Sequence, residues 1–323
     1  MKRKAIAGAQ VAVTGVLFWL LFRDFDRSAF TAAFRQLPVW LYATSLAVVL
    51  FGQGLYTWRW RVMLSAVGVR ISFARAFELF SIGTFASNFL PSTVGGDVAK
   101  VYYLGREHGY GAITASVVLD RMLGVAILAV LTSVLLWLSP PDVPFLATVR
   151  ILLLILGVVT FAVLGVIVRG SGGLSRRLDA FGPRAAAVAE RLRRFRLNLA
   201  AGVIRPRVPL ASLAVILLYF GLITPLYGQF IRLQTGLQPG FLAILTAIAT
   251  TAVLSNVPVS LNGLGLREQL HVALLAPLGV PREVAVAISL IFFANVLAVS
   301  LIGGIFWMRF PTTPRGVVAP TAS

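Results

Sequence analysis

Six stretches of this chain are apolar for long enough to cross a lipid bilayer: Ala5 to Phe22, Val39 to Trp58, Ala112 to Leu138, Ile151 to Val168, Val208 to Ile231 and Val284 to Met308. Crossing about 30 Å of hydrocarbon takes roughly 20 residues of helix. A backbone in that medium must satisfy its own hydrogen bonds, which makes the spanning segments helical. Only 12% of the residues are charged and 58% are hydrophobic, whereas a soluble domain is about a quarter charged. The chain is therefore expected to be an all-α, polytopic integral membrane protein.

Two breaks interrupt this apolar pattern. The first reads Ser87-Asn88-Phe89-Leu90-Pro91-Ser92-Thr93-Val94-Gly95-Gly96-Asp97, and the second reads Ser255-Asn256-Val257-Pro258-Val259-Ser260-Leu261-Asn262-Gly263-Leu264-Gly265-Leu266-Arg267-Glu268. Each follows an apolar run and contains Ser-Asn, a proline, a serine, a glycine pair and then charge. Their occurrence once in each half points to an internal repeat.

Charge sets the expected topology. Met1-Lys2-Arg3-Lys4 precedes the first span, and only Phe22-Arg23-Asp24 follows it, with no small-x-small cleavage pattern. The first span is thus read as retained, with a cytoplasmic N-terminus. Arginines stand at 169, 176, 177, 184, 191, 193, 194, 196, 205 and 207. Positive-inside placement of this block requires an even number of crossings before it. Residues 73–90 must then cross zero or two times, and they are read as part of a re-entrant hairpin entering from the cytoplasm. The same count brings the second hairpin in from the outside and returns the C-terminus to the cytoplasm. Six full spans and two re-entrant hairpins in an inverted repeat result, an arrangement shared with many secondary transporters. The domain reading is one membrane domain over 1–310, with repeat A at 39–138, an arginine-rich segment at 169–207, repeat B at 208–308 and a disordered tail at 311–323. Within the arginine-rich segment, Leu178, Phe181, Ala185, Val188, Leu192, Phe195 and Leu199 fall three and four apart. That spacing describes an amphipathic helix for the anionic inner leaflet.

The candidate site residues lie at the two breaks. Asn88 and Asn256 can satisfy backbone groups freed by Pro91 and Pro258. Gly95, Gly96, Gly263 and Gly265 precede short helical segments, where bare amides suit a phosphate. Asp97, Asp120, Arg121, Arg267 and Glu268 are the charges nearest the apolar core, and intramembrane ionisable groups are functional candidates. The alternative is that Asp120–Arg121 and Arg267–Glu268 neutralise neighbours or sit in the headgroup layer. Arg121 and Arg267, one per repeat, carry forks that suit a lipid phosphate. Trp58-Arg59-Trp60-Arg61 is read as an interfacial anchor, with phosphate contact as the lesser alternative.

The net charge of +18 is read as orienting the chain and attracting anionic lipid, not nucleic acid. Cysteine is absent, and His108 and His271 are the only histidines, which excludes disulfides, thiolate metal sites and a cysteine nucleophile. No phosphate-binding G-x-x-x-x-G-K-S/T loop, H-E-x-x-H or spaced aspartate cluster occurs. No catalytic residue, metal or cofactor is therefore assigned.

Leu90 to Val98, then Leu119-Asp120-Arg121-Met122-Leu123-Gly124, then Pro258 to Glu268 with Gly279-Val280, resemble the lysylphosphatidylglycerol synthase transmembrane region family. This is the flippase-like membrane part of multiple-peptide-resistance proteins, and the resemblance runs from about Trp58 to Trp307. It implies a bacterial cell-membrane protein that handles anionic or aminoacylated phospholipid or another lipid-linked headgroup. The full resistance proteins add a soluble aminoacyl-transferase domain. The chain ends at Ser323 without one, so lipid aminoacylation is not expected of it. The expected function is lipid translocation between leaflets, with a separate synthase or a second copy of the chain as a further partner. The alternatives are a membrane enzyme acting on lipid headgroups and a non-transporting partner subunit.

Overall fold

The structure is a computed structural model that describes residues 12–21, 23, 26–89, 95–139, 143–170, 183–257, 259–260 and 263–309. The tail at 311–323, the start of the first expected span, and both Pro91 and Pro258 lie outside the described residues. Those described form helices without strands: α1 (Ala12–Leu21), α2 (Arg27–Arg35), α3 (Val39–Ala66), α4 (Phe73–Phe89), α5 (Gly95–His108), α6 (Tyr110–Leu138), α7 (Leu146–Arg169), α8 (Pro183–Ile204), α9 (Arg207–Thr235), α10 (Phe241–Leu254), α11 (Leu266–Leu275) and α12 (Arg282–Arg309). Five of these, α3, α6, α7, α9 and α12, are long and apolar enough to cross a membrane. Of the first expected span, the described part is the shorter apolar helix α1.

The sequence explains where these helices begin and end. Pro38 precedes α3 with φ −70°, where a missing N–H costs nothing because the first turn has no partner for it. Gly236 ends α9 in the left-handed conformation with φ +74°, which a side chain would oppose. The break regions give helices shorter than the roughly 20 residues a crossing needs. α4 has 17 residues, α5 14, α10 14 and α11 10.

Interhelical hydrogen bonds tie the ends together. Arg205 Nη1, between α8 and α9, donates to the Ser65 and Ala66 carbonyls at the end of α3. α4 starts shortly after that end. At the other end of α9, Gln234 Nε2 donates to the Ala33 carbonyl of α2 at 2.6 Å, and α10 starts a few residues beyond. α9 has 29 residues, so these two ends are about 40 Å apart at 1.5 Å per residue.

Small residues set how closely the short helices pack. A Cβ on Gly303 of α12 would overlap the Ser81 carbonyl of α4, and one on Gly304 would meet the Phe85 ring. Apolar lipid offers little drive for helix association, so close backbone approach supplies it through dispersion and weak polar contact. α7 is peripheral, with 17% of its most apolar stretch buried against 50% for α12. α8 packs on α6 and α7. Ala189, Leu199 and Ala200 turn inward there, while Val188 and Leu192 of the expected apolar stripe remain exposed.

Candidate functional site

A cavity of about 400 Å³ lies where α3, α4, α5, α6, α9 and α12 meet, and Asn256 from the second break reaches it. Its polar wall comes from Tyr56 and Arg59 of α3, Thr84, Ser87 and Asn88 of α4, Asp97 and Lys100 of α5, and Asp120 and Arg121 of α6. Residues from both breaks thus share one cavity.

The charges are paired, two of the three contacts running between helices. Arg121 Nε donates to Asp97 Oδ2 at 2.7 Å, and Lys100 Nζ lies 3.5 Å from Asp97 Oδ1. Arg59 Nη2 lies 2.8 Å from Asp120 Oδ1, with both residues buried. Asp120 and Arg121 thus pair not with each other but each with a residue on another helix. The physical reason is helical phase, since adjacent residues point about 100° apart and face different neighbours. Lys100 also sits 4.1 Å from the Phe80 ring centroid and 5.5 Å from that of Trp60. Aromatic faces stabilise a buried ammonium that has shed part of its hydration.

Three cations and two carboxylates line the cavity, a net of one positive charge. The Arg59–Asp120 contact is close but misaligned, and Arg59 Nε has no hydrogen-bond partner although it is buried. A buried N–H without a partner costs about 1–3 kcal/mol. An anionic oxygen entering the cavity could accept from it and lower that cost.

Arg59 and Lys100 were not among the sequence candidates. Trp58-Arg59-Trp60-Arg61 reads as an interfacial anchor, yet Arg59 and Trp60 are buried while Trp58 and Arg61 are exposed. Helical phase could have shown this, because residues two apart on a helix face nearly opposite sides. The i,i+3 spacing of Asp97 and Lys100 was a second usable signal.

The glycines at the breaks serve close packing at Gly96 and turns at Gly263 and Gly265. A Cβ on Gly96 would overlap the Gly83 carbonyl, so this position lets α4 and α5 cross closely. Gly95 is the first residue of α5. Gly263 and Gly265 have φ of +74° and +78°, a region that favours glycine. The Gly265 N–H donates to Glu268 Oε2 at 2.6 Å, so this amide is not bare as expected but already capped by the α11 carboxylate.

Arg267 and Glu268 do neutralise each other, at 2.8 Å. They stand in a second buried polar group away from the cavity lining. Glu268 is fully buried and also accepts from Ser289 Oγ at 3.1 Å, while Arg267 lies 4.1 Å from the Phe293 ring centroid. His271 Nδ1 donates to the Arg267 carbonyl, and its Nε2 pairs with the Tyr227 hydroxyl at 3.0 Å. The carbonyl can only accept, so the proton sits on Nδ1 and a neutral ring accepts from Tyr227.

This geometry can be set beside known proteins. The lysylphosphatidylglycerol synthase TM region matches residues 8–304. The chain belongs to that family. Within reach of the same sequence are two UPF0104 membrane proteins. One, from Methanothermobacter thermautotrophicus, is 26% identical over 274 residues, covering 77% of each chain. The other, from Pyrococcus horikoshii, is 24% identical over 293 residues, covering 82% of this chain and 86% of its own. No solved structure matches the chain. Membership of the lysylphosphatidylglycerol synthase TM region family, with five membrane-length helices, makes this a multi-pass membrane protein.

Proposed function

We propose that this protein moves phospholipid or lipid-linked headgroups between leaflets, with the headgroup passing through the cavity beside the two breaks. The observation that carries the reading is the cavity's net positive charge, held by one buried and one part-exposed ion pair inside a helical membrane domain. A lipid phosphate crossing hydrocarbon needs compensating charge and hydrogen bonds, because an unpaired ion there costs several kcal/mol. Arg121 is the cavity cation best placed to bind and release such a group, since its side chain is 54% exposed while it pairs with Asp97.

In this reading α4–α5 and α10–α11 are re-entrant hairpins from opposite sides of the membrane, related as an inverted repeat around six crossings that include α1. Both termini are cytoplasmic, and the membrane is the bacterial inner membrane. A separate synthase, or a second copy of the chain, supplies or receives the lipid. The protein itself makes and breaks no covalent bond, and purified protein should leave headgroups chemically unchanged by mass spectrometry.

The test is a fluorescent-lipid flip assay in proteoliposomes with anionic, aminoacylated and zwitterionic headgroups. Wild type should move at least one of the charged lipids. Arg121→Gln should slow it at least tenfold with insertion intact, and Arg121→Lys should recover part of the rate, keeping the charge but not the fork. No movement of any headgroup by wild type would remove the proposal.

A further inference from the structure

A larger pocket, about 700 Å³, lies at the end of the bundle where α3 passes into α4 and α8 passes into α9. Arg61, Arg70, Arg205 and Arg207 line it, and no acidic residue does. Among the described residues none of these four arginines is ion-paired. Several other arginines do face carboxylates. Arg59 and Arg121 face Asp120 and Asp97, and Arg193 and Arg194 both bind Glu190.

Two of the four arginines are fixed by backbone. Arg61 Nε donates to the Ile71 carbonyl at 2.8 Å. Arg205 Nη1 donates to the carbonyls of Ser65 and Ala66 at 3.2 and 3.0 Å. Their remaining nitrogens are left for a ligand. Guanidiniums gathered without counter-charge repel one another, and planar forks of this kind match phosphate oxygens bidentately.

The pocket is distinct from the central cavity. Arg59 and Arg61 are two residues apart on α3, about 200° around the helix, so they serve opposite sides of it. Trp58 lines the pocket with 43% of its surface exposed, and Phe73, at the start of α4, is equally exposed. Exposed aromatics beside arginines are the composition of a membrane–water boundary.

We propose that this pocket is a second anion site, taking a phosphate-bearing group with two or more negative charges. That group is either the headgroup of an anionic lipid in the adjoining leaflet or a free phosphate. The inference stands independently of the translocation reading, because it concerns binding at a different face of α3.

The experiment is equilibrium binding to the full-length protein in detergent. The probes are dioctanoyl phosphatidic acid, inorganic pyrophosphate and, as a neutral-net control, dioctanoyl phosphatidylcholine. Wild type should bind phosphatidic acid, and R70Q/R207Q should bind it at least tenfold more weakly. Neither Arg70 nor Arg207 has a side-chain hydrogen bond within the described protein, so the variant should retain wild-type circular dichroism and elution. Pyrophosphate binding with the same dependence would assign the site to free anions, and binding of phosphatidic acid alone would assign it to lipid. Either outcome supports the site. No binding of either anion, equal binding to R70Q/R207Q, or loss in R121Q instead would overturn it. Should R70Q/R207Q misfold, wild-type affinity must still drop severalfold between about 0.1 and about 0.5 M NaCl, as a charge-held site requires. Salt-independent binding would likewise overturn it.

Discussion

Replacing Arg59 by glutamine should destabilise the protein far more than the loss of one surface charge would. Arg59 is 6% exposed and Asp120 9%, and they lie 2.8 Å apart. Removing one partner of a buried pair strands the other charge, at about 3–5 kcal/mol in a dry interior. Here the cavity of about 400 Å³ can admit water to Asp120, so we expect the low end, about 3 kcal/mol. Asp120→Asn should cost somewhat less, because Arg59 keeps the Tyr56 ring, 5.0 Å from its guanidinium carbon, as a cation–π partner. The double variant R59Q/D120N should be more stable than either single one, with a coupling of about 2 kcal/mol. Unfolding by sodium dodecyl sulfate in mixed micelles, followed by tryptophan fluorescence, measures all four forms. Losses that simply add, to within about 0.5 kcal/mol, would refute the idea that this pair is one buried unit. The cycle also separates stability from function. R59Q brings the net charge of the cavity wall to zero and D120N raises it to two, while the double variant restores one. Anionic-lipid movement should follow that order, with R59Q the slowest.

Gly303→Ala should cost about 2 kcal/mol or more by forcing α12 away from the Ser81 backbone, whereas Gly165→Ala, with no atom near its new Cβ, should be neutral in the same unfolding assay. Because cysteine is absent, single cysteines at Thr148, Gln238 and Ser72 report topology without background. The first two should label from outside and Ser72 only after permeabilisation; the reverse pattern would invert the assignment. Hydrogen bonds from Arg193 and Arg194 hold the Glu190 carboxyl down to about 2. A depressed carboxyl stabilises the folded state above its unfolded value of about 4.5, and the benefit is lost as pH falls toward about 2. Glu190→Gln should therefore reduce the acid-induced loosening of α8 seen by hydrogen exchange in that window. At neutral pH it should change little, since exposed pairs contribute little.

The membrane class was legible because it depends on composition over long windows. Runs such as Ile151 to Val168 have no plausible solvent but lipid, whatever they pack against. The two breaks were legible too, since their prolines and glycines act through local backbone geometry. Asp97, Asp120 and Arg121 could be named as candidates because charge is rare in such sequence. What the sequence did not decide was which charge meets which. Asp120 and Arg121 are chain neighbours, yet each pairs with a different helix. Arg267 and Glu268 are also neighbours, and they pair with each other. Arg59 and Arg61 look alike in Trp58-Arg59-Trp60-Arg61, but one is buried in the cavity and the other lines an open arginine pocket. The reason is that a side chain's phase around its helix is local, whereas what lies opposite it is set by packing. Close contacts at Gly303 and Gly96 fix that packing by positioning α4 against α12 and α5. Only the assembled bundle brings Arg59, Lys100 and Asn256 to one cavity, from segments up to about 200 residues apart, because buried charges must find partners wherever the fold supplies them.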